Sequence, residues 1–272
     1  MIEARRSEES SRVAISELRE VEDLRELEGL FAAVWERPEE PPVNTDILKA
    51  LAHSGNYVAG ARVEGSLVGG LVGWLGGRHA HERHLHSHIL GVASGSQAGG
   101  VGFELKQHQR RWCLERGVNV VEWTTDPLVR RNAYFNLSKL AAQAREYLIN
   151  FYGVMTDGIN AGDESDRFVI SWQLDVPQGA SAFKGDATIK ELIGGGAAVV
   201  LAVGPAGEPV GRSSAARVLI CQVPEDIVAV RRANHALARS WRLAVRKALG
   251  DALAAGYRVS GATRTGWYVL ER

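Results

Sequence analysis

The chain has 272 residues, 45% of them apolar and 24% charged, and its 32 basic and 32 acidic side chains cancel. So much apolar surface excludes a largely disordered or low-complexity chain. The charge balance argues against nucleic-acid binding, which draws its affinity mainly from a basic excess that neutralises phosphates.

Residues 1–12 are polar and expected to fray. A short strand over 13–18 precedes a helix through Leu24, Leu27, Leu30, Phe31 and Val34, spaced by three and four. Pro38, Pro41 and Pro42 close it, and Asn44 or Thr45 caps a second helix over 46–53. Strands follow at 57–63 and 66–74, joined by Glu64-Gly65 as a tight hairpin. After a His-rich and Gly-rich loop over 76–83 come a strand at 84–92 and a helix at 103–116 stopped by Gly117. A strand at 119–124 leads to Asp126-Pro127, which predicts a helix capped by Asp with Pro in its first turn. Strands at 145–152 and 167–174 complete this region.

The pattern is α/β, a mixed and mostly antiparallel sheet flanked by helices over residues 11–175. Pro177-Gln178-Gly179 looks like a linker. Residues 176–272 then form a ββαββ extension packed on the first domain. Its strands are expected at 197–203, 218–223, 257–262 and 266–270, with one helix over 226–255. Cys113 and Cys221 cannot make a disulfide framework and lack metal-ligand spacing, so both read as buried thiols. The charged start lacks the apolar segment of a secretory signal. The uncharged stretch between Leu192 and Glu208 contains five glycines and a proline, too broken to span a bilayer. A cytoplasmic protein is expected, without membrane or nucleic-acid partners; a homodimer stays open.

The most informative segment is His88-Ile-Leu-Gly-Val92-Ala-Ser-Gly-Ser-Gln97-Ala-Gly99-Gly100-Val-Gly102. A strand runs through a glycine-rich turn straight into a helix, whose first N–H groups converge on one spot. The helix dipole adds positive potential there, a geometry suited to phosphate. A P-loop would need Lys and a hydroxyl where Val101-Gly102 stand. A dinucleotide fingerprint fits Gly100 and Gly102 but meets Leu105 at its third glycine, although Glu122 lies near the place of a ribose-binding acid. Gln/Arg-x-x-Gly-x-Gly is met in full by Gln97, Gly100 and Gly102. A turn that binds nothing is the remaining alternative.

Gln97-Ala-Gly-Gly100-Val-Gly102, with the strand before it and the helix after it, resembles the acyl-CoA pyrophosphate loop of the GNAT acetyltransferase superfamily. The element order over 11–175 is similar to the GNAT fold. Leu85-His-Ser-His88, Trp123-Thr-Thr-Asp-Pro127 and Arg131-Asn-Ala-Tyr-Phe-Asn136 resemble a bacterial GNAT group with an extra C-terminal region. That region ends there in a pattern like Gly256-Tyr257…Tyr268-Val-Leu270. The resemblance implies acetyl-CoA or another acyl-CoA as donor and a small amine or amino-acid-like acceptor. Ala98, Gly99, Gly100, Val101 and Gly102 after Gln97 would cradle the pyrophosphate, and Leu90 to Val92 would pair with the pantetheine arm. Asn132 matches a cofactor-contacting asparagine. Arg110, Arg111, Arg130 and Arg131 are candidates for a 3′-phosphate.

Acyl transfer from a thioester to an amine needs a proton acceptor. Five of the eight histidines fall between His79 and His88, and strand alternation puts His84, His86 and His88 on one face. A His-x-His strand can also bind zinc, but no carboxylate or cysteine stands at convincing ligand spacing; imidazoles bonded across the sheet are another alternative. Counted from Gln97, His86 falls where GNAT histone acetyltransferases carry their glutamate base. His86 and His88 together fall where arylalkylamine acetyltransferases carry a histidine pair. His86 is therefore the expected base, with His88 assisting through water, and an apparent pKa between about 6 and 8 follows from an ordinary imidazole. Family enzymes often place a Tyr two residues before a Lys-Leu-Gly; here that position is Leu137, and Ala141 replaces the Gly. Tyr134, one turn earlier, is the substitute acid. These departures keep a second class open, a GNAT-derived ligand-binding module without turnover. Trp35, Trp74, Trp123, Tyr134 and Phe135 are candidates for an acceptor pocket or for core. His235, Trp241 and the arginines of the C-terminal helix read as helix faces.

Overall fold

A computed structural model describes residues 13–77, 79, 82–155, 162–176 and 186–272. The start expected to fray, part of the His-rich loop and the 177–179 linker lie outside the described residues. Packing divides the chain after Glu122 into two units. The boundary expected at 175/176 is a change of sequence texture, and the packing boundary falls elsewhere.

In the first unit, β1 (Ala14–Glu17), β2 (Tyr57–Val63), β3 (Ser66–Gly76) and β4 (His84–Val92) form an antiparallel sheet in chain order, and β5 (Val120–Thr125) starts parallel to β4. Glu64 and Gly65 take φ of 51° and 82°, the paired positive values of the expected hairpin turn. Helix α1 (Val21–Val34) buries Leu24, Leu27 and Phe31. Helix α2 (Thr45–His53) is capped by Asn44, whose side chain accepts from the Ile47 amide at 3.0 Å. The glycines of β3 let helices lie close on both faces. A Cβ at Gly69 would stand 2.9 Å from Val101 of α3 (Val101–Glu115), and one at Gly70 would collide with Leu27 of α1.

The second unit holds the end of β5, α4 (Arg130–Ala133) with a π-helical turn (Tyr134–Lys139), and the antiparallel pair β6 (Gln143–Leu148) and β7 (Arg167–Gln173). Its strand order is β5-β7-β6. Next come α5 (Asp186–Gly194), β8 (Ala198–Val203), β9 (Pro209–Gly211), β10 (Val218–Gln222), α6 (Ile227–Ala233), α7 (His235–Val245), β11 (Arg258–Ala262) and β12 (Trp267–Glu271). The last five strands form a sheet in the order β11-β12-β10-β8-β9, around Ile189, Ile220 and Val269. The chain is thus mixed α/β, with mostly antiparallel sheets flanked by helices and extra C-terminal strands.

Several expectations need correction. The tail is not a plain ββαββ unit, because α5 and β9 add to it. The expected helix over 226–255 breaks at Asn234, which turns to φ −155° and caps α7 by accepting from Leu237 at 3.0 Å. Asp126 does not cap a helix. It is buried, accepts from the Leu128 amide at 2.9 Å in a local turn, and pairs with a distant arginine. That arginine, Arg242, and Arg231, which read as helix faces in the sequence, are buried. Arg242 meets both oxygens of Asp126 at 2.7 Å and Asp163 at 2.9 Å, and Arg231 meets Asp163 at 3.0 Å. Trp241 is fully buried and donates to the Gly207 carbonyl at 2.9 Å. Trp123 packs edge-on against Trp172 in the core. Both cysteines are buried free thiols.

Candidate active site

Strand β4 collects the titratable groups of the first unit. Alternation sends Leu85 and Ser87 toward α3 and turns His84 and His86 to the other face. On the α3 side, Lys106 Nζ donates to Ser87 Oγ at 2.8 Å and to Gln109 Oε1 at 3.2 Å, all buried. Burial pushes Lys106 down to about 7, and the Cys113 thiol opposes this.

The pairing with β3 steps from Val72–Ile89 to Gly73–Ser87, so His88 has no residue opposite it and forms a β-bulge. Its ring lies 5.7 Å from that of His86, which gathers the pair on one side of the strand as expected, with the bulge turning His88. Trp74, paired with His86 across the strands, packs against both rings at centroid distances of 5.0 and 4.7 Å, tilted by 40° and 39°. Among the described residues neither imidazole makes a hydrogen bond, so tilted ring packing rather than cross-strand bonding positions them. Burial, followed by the charges of His88, His84 and Lys106, lowers His86 to about 4; burial also lowers His88. Both rings are neutral at pH 7. No group of three or more His, Cys, Asp or Glu among the described residues is arranged to hold a metal ion.

Sequence reading gave Glu122 no role beside the histidines. It pairs with His86 in the parallel β4–β5 ladder, which puts both side chains on one face. Its half-buried carboxylate lies 3.9 Å from His84 Nε2 and, among the described residues, makes no hydrogen bond. The signal that could have found it is strand register, invisible until β4 and β5 are aligned.

After Val92 the chain makes a tight 3₁₀ segment, Ser94–Gly99, then Gly100 at φ 78° opens α3. Phe103 and Glu104 amides donate to the Gly100 carbonyl at 2.9 and 3.1 Å. The amides of Val101 and Gly102 precede that ladder, at the open helix end. A Cβ at Gly99 or Gly100 would meet nothing within 4 Å, and one at Gly102 would lie 3.8 Å from Leu90 and Val92. Gln97 and Ala98 lie in the tight segment. Pairing of β4 with β5 spans only Leu85–Val121 and His86–Glu122. Among the described residues of the first unit, the ladder with β5 ends at His86. The remaining predicted residues belong to the second unit. Asn132 lies in α4; Tyr134 is half-buried with the Arg264 guanidinium 5.0 Å above its ring; Leu137 is buried; Arg130 pairs with Glu225 at 2.7 Å.

No helix among the described residues is long and apolar enough to cross a membrane. No curated protein matches the sequence significantly. Among solved structures, an N-acetyltransferase from Staphylococcus aureus is similar with a TM-score of 0.51 and 14% identity, over 61% of this chain and 100% of that one. A protein from Salmonella typhimurium, described as an acetyltransferase and solved with its cofactor acetyl-CoA, gives 0.50 and 16% identity over 63% and 99%. Identities this low speak for the fold. The sequence over residues 21–135 matches the Acetyltransferase (GNAT) family, and the fold around β4 and α3 agrees with it.

Proposed function

We propose that the protein is an N-acyltransferase that moves an acyl group, most simply acetyl, from acyl-CoA to a small amine. The observation that carries this reading is the junction of strand β4, with two neutral imidazoles that make no hydrogen bond among the described residues, and the open amino end of helix α3. The pyrophosphate fits the amides of Val101 and Gly102, where no side chain closes the approach. The two amides of a pantetheine arm suit the edge of β4 beyond His86, after its ladder with β5. Bound there, acyl-CoA supplies an activated carbonyl. The amine nitrogen forms the new C–N bond while the carbonyl electrons move to oxygen, and the nitrogen, now positively charged, must lose a proton. His86 accepts that proton, with His88 assisting through water. The C–S bond then breaks, and the thiolate takes a proton. Tyr134 as donor of that proton, and Asn132 as a cofactor contact, rest on the family resemblance.

The test is calorimetric titration of CoA. Gly100→Asp puts a carboxylate about 4 Å from the pyrophosphate, a repulsion of ~1–4 kcal/mol. CoA affinity should fall at least about tenfold; a Cβ at Gly100 meets nothing within 4 Å, but its φ of 78° makes the substitution cost about 1 kcal/mol of strain, so a thermal melt accompanies the titration to show that the fold persists. Unchanged affinity, or no CoA binding by the natural chain, overturns the acyl-CoA reading. The burial of Leu137 where family enzymes carry Tyr favours one rival, a binding module. CoA binding without thiol release across a panel of amines would establish that rival.

A further inference from the structure

The acyl-transfer reading leaves one buried titratable group unused. Lys106 reaches from the second turn of α3 to the back of β4 and is 2% exposed. Its Nζ donates to Ser87 Oγ at 2.8 Å and to Gln109 Oε1 at 3.2 Å, which places the amine behind the residue that separates His86 from His88. Ser87 is also where the ladder with β3 steps over His88, so the amine is tied to the bulge itself. An apolar side chain of similar length would fill the space between helix and sheet without the cost of a buried amine. Packing alone does not call for lysine here.

Charge behind the strand acts on the rings in front of it. Two positive charges on opposite faces of one buried strand repel, and the first to form suppresses the second. Burial lowers Lys106 to about 7, whereas burial, then the charges of His88, His84 and Lys106, lowers His86 to about 4. As pH falls, the amine takes its proton well before His86 does. The other ionisable groups on the His86 side are His84 and His88 of β4 and Glu122 of β5. On the Lys106 side, burial pushes the Cys113 thiol up to about 12, so it stays protonated. Farther along α3, His108 bonds to Tyr57 at 2.8 Å and Arg116 lies 3.9 Å from Glu17. We infer that Lys106 is a positioning residue for the base: tied to Ser87, its ammonium keeps the first proton of the cluster behind β4 and leaves His86 and His88 neutral, ready to accept one. The inference rests on the N-acyltransferase reading only for the use made of a neutral imidazole; the order of protonation is independent of it.

A pH titration of the full chain by NMR, with isotope-labelled histidine and lysine and without CoA or acceptor, reads that order directly. In the natural chain the Lys106 Cε resonance should step at higher pH than the His86 imidazole. Lys106→Met, close in length and uncharged, should raise the proton affinity of His86 about three- to tenfold. The acidic limb of kcat/KM should move to higher pH by the same factor, whereas a packing defect would lower the plateau and leave the limb in place. Ser87→Ala removes the bond but keeps the ammonium, and should leave His86 within about twofold of the natural chain. An amine still neutral where His86 takes its proton overturns the inference, and this measurement needs no variant to fold. A folded Lys106→Met chain whose His86 titrates within about twofold of the natural one also overturns it. So does Ser87→Ala if it moves His86 as far as Lys106→Met, because the bond and not the charge would then be responsible. With no CoA in these titrations, their failure is separate from failure of the donor-site test.

Discussion

The protein has two clusters of ionisable side chains that obey opposite rules. On β4 and β5 of the first unit, among the described residues, the neutral His86 and His88 rings make no hydrogen bond and Glu122 has only a long contact to His84. In the second unit, Arg231 and Arg242 are almost fully buried, and each finds a carboxylate within hydrogen-bond distance. Buried charge without a partner is costly, so a cluster that stays charged inside the fold must be paired. Neutral groups at a half-open face can remain unsatisfied, and that keeps them available to a ligand. Pairing marks the structural cluster; its absence marks the reactive one.

The sharpest way to break the comparison is to remove the partners. Excised residues 176–272 keep Arg231, Arg242 and Arg246 but lose Asp126, Asp163 and Asp166, their carboxylates. We expect no cooperative thermal transition from this fragment, and a sharp one would show that the pairs are dispensable.

The reactive cluster is tested by His86→Gln, which keeps size but accepts no proton. It should lower kcat/KM by about 10²–10⁴-fold. Since burial lowers His86 to about 4, the acidic limb assigned to it should lie near 4, well below the range expected for an ordinary imidazole. Protonation below that value removes the base, so activity falls on the acid side. A limb near 6.5 that survives in His86→Gln would give the base to another group.

Within the paired cluster, Arg242→Leu leaves buried Asp126 with only the longer contact to Arg231, at 3.8 Å, which Asp163 holds at 3.0 Å, and should cost about 3–5 kcal/mol by denaturant unfolding. Burial alone would raise Asp126, but Arg242 carries it below the usual carboxylate range; likewise Arg246 lowers Asp166 against its burial. A lowered carboxylate stabilises the fold above its unfolded pKa and loses that contribution as pH falls through its folded value. Stability should therefore decline below about pH 4, and Arg242→Leu should flatten that decline.

The smallest expected effect is a gain. Ala141 sits at φ 53°, a left-handed conformation that suits glycine, in the position where family members carry Gly. Ala141→Gly should raise stability by about 0.5–1 kcal/mol, read from the urea midpoint. A loss would place the stored strain elsewhere.

Much of the first unit was legible because its signals are local. Alternation from His84 to Val92 delimits β4 at the residues observed, and Asn44 caps the helix that follows it. Distant pairing left no such trace. Arg242 looks like any surface arginine at its helical spacing, because Asp126 lies 116 positions away. The break at Asn234 escaped notice because apolar spacing continues through it in phase, so only the cap geometry reveals two helices. Glu122 joined the histidines through strand register, and α5 emerged beside a Gly-rich run that reads as strand.

The bulge at His88 also limits how this strand can change over generations. Before it, Leu85 and Ser87 point to α3; after it, Ile89 packs with Leu27 and Phe31 of α1, and a Cβ at Gly91 would crowd Phe31 and Trp35. Deleting any one residue of β4 would restore a regular ladder but rotate one half of the strand to the wrong face. Substitutions at His84, His86 and His88 carry no such penalty. The strand is thus open to point changes that alter its chemistry, while its length is fixed: among descendants, histidines can be exchanged for other side chains, but insertions and deletions in β4 should be eliminated.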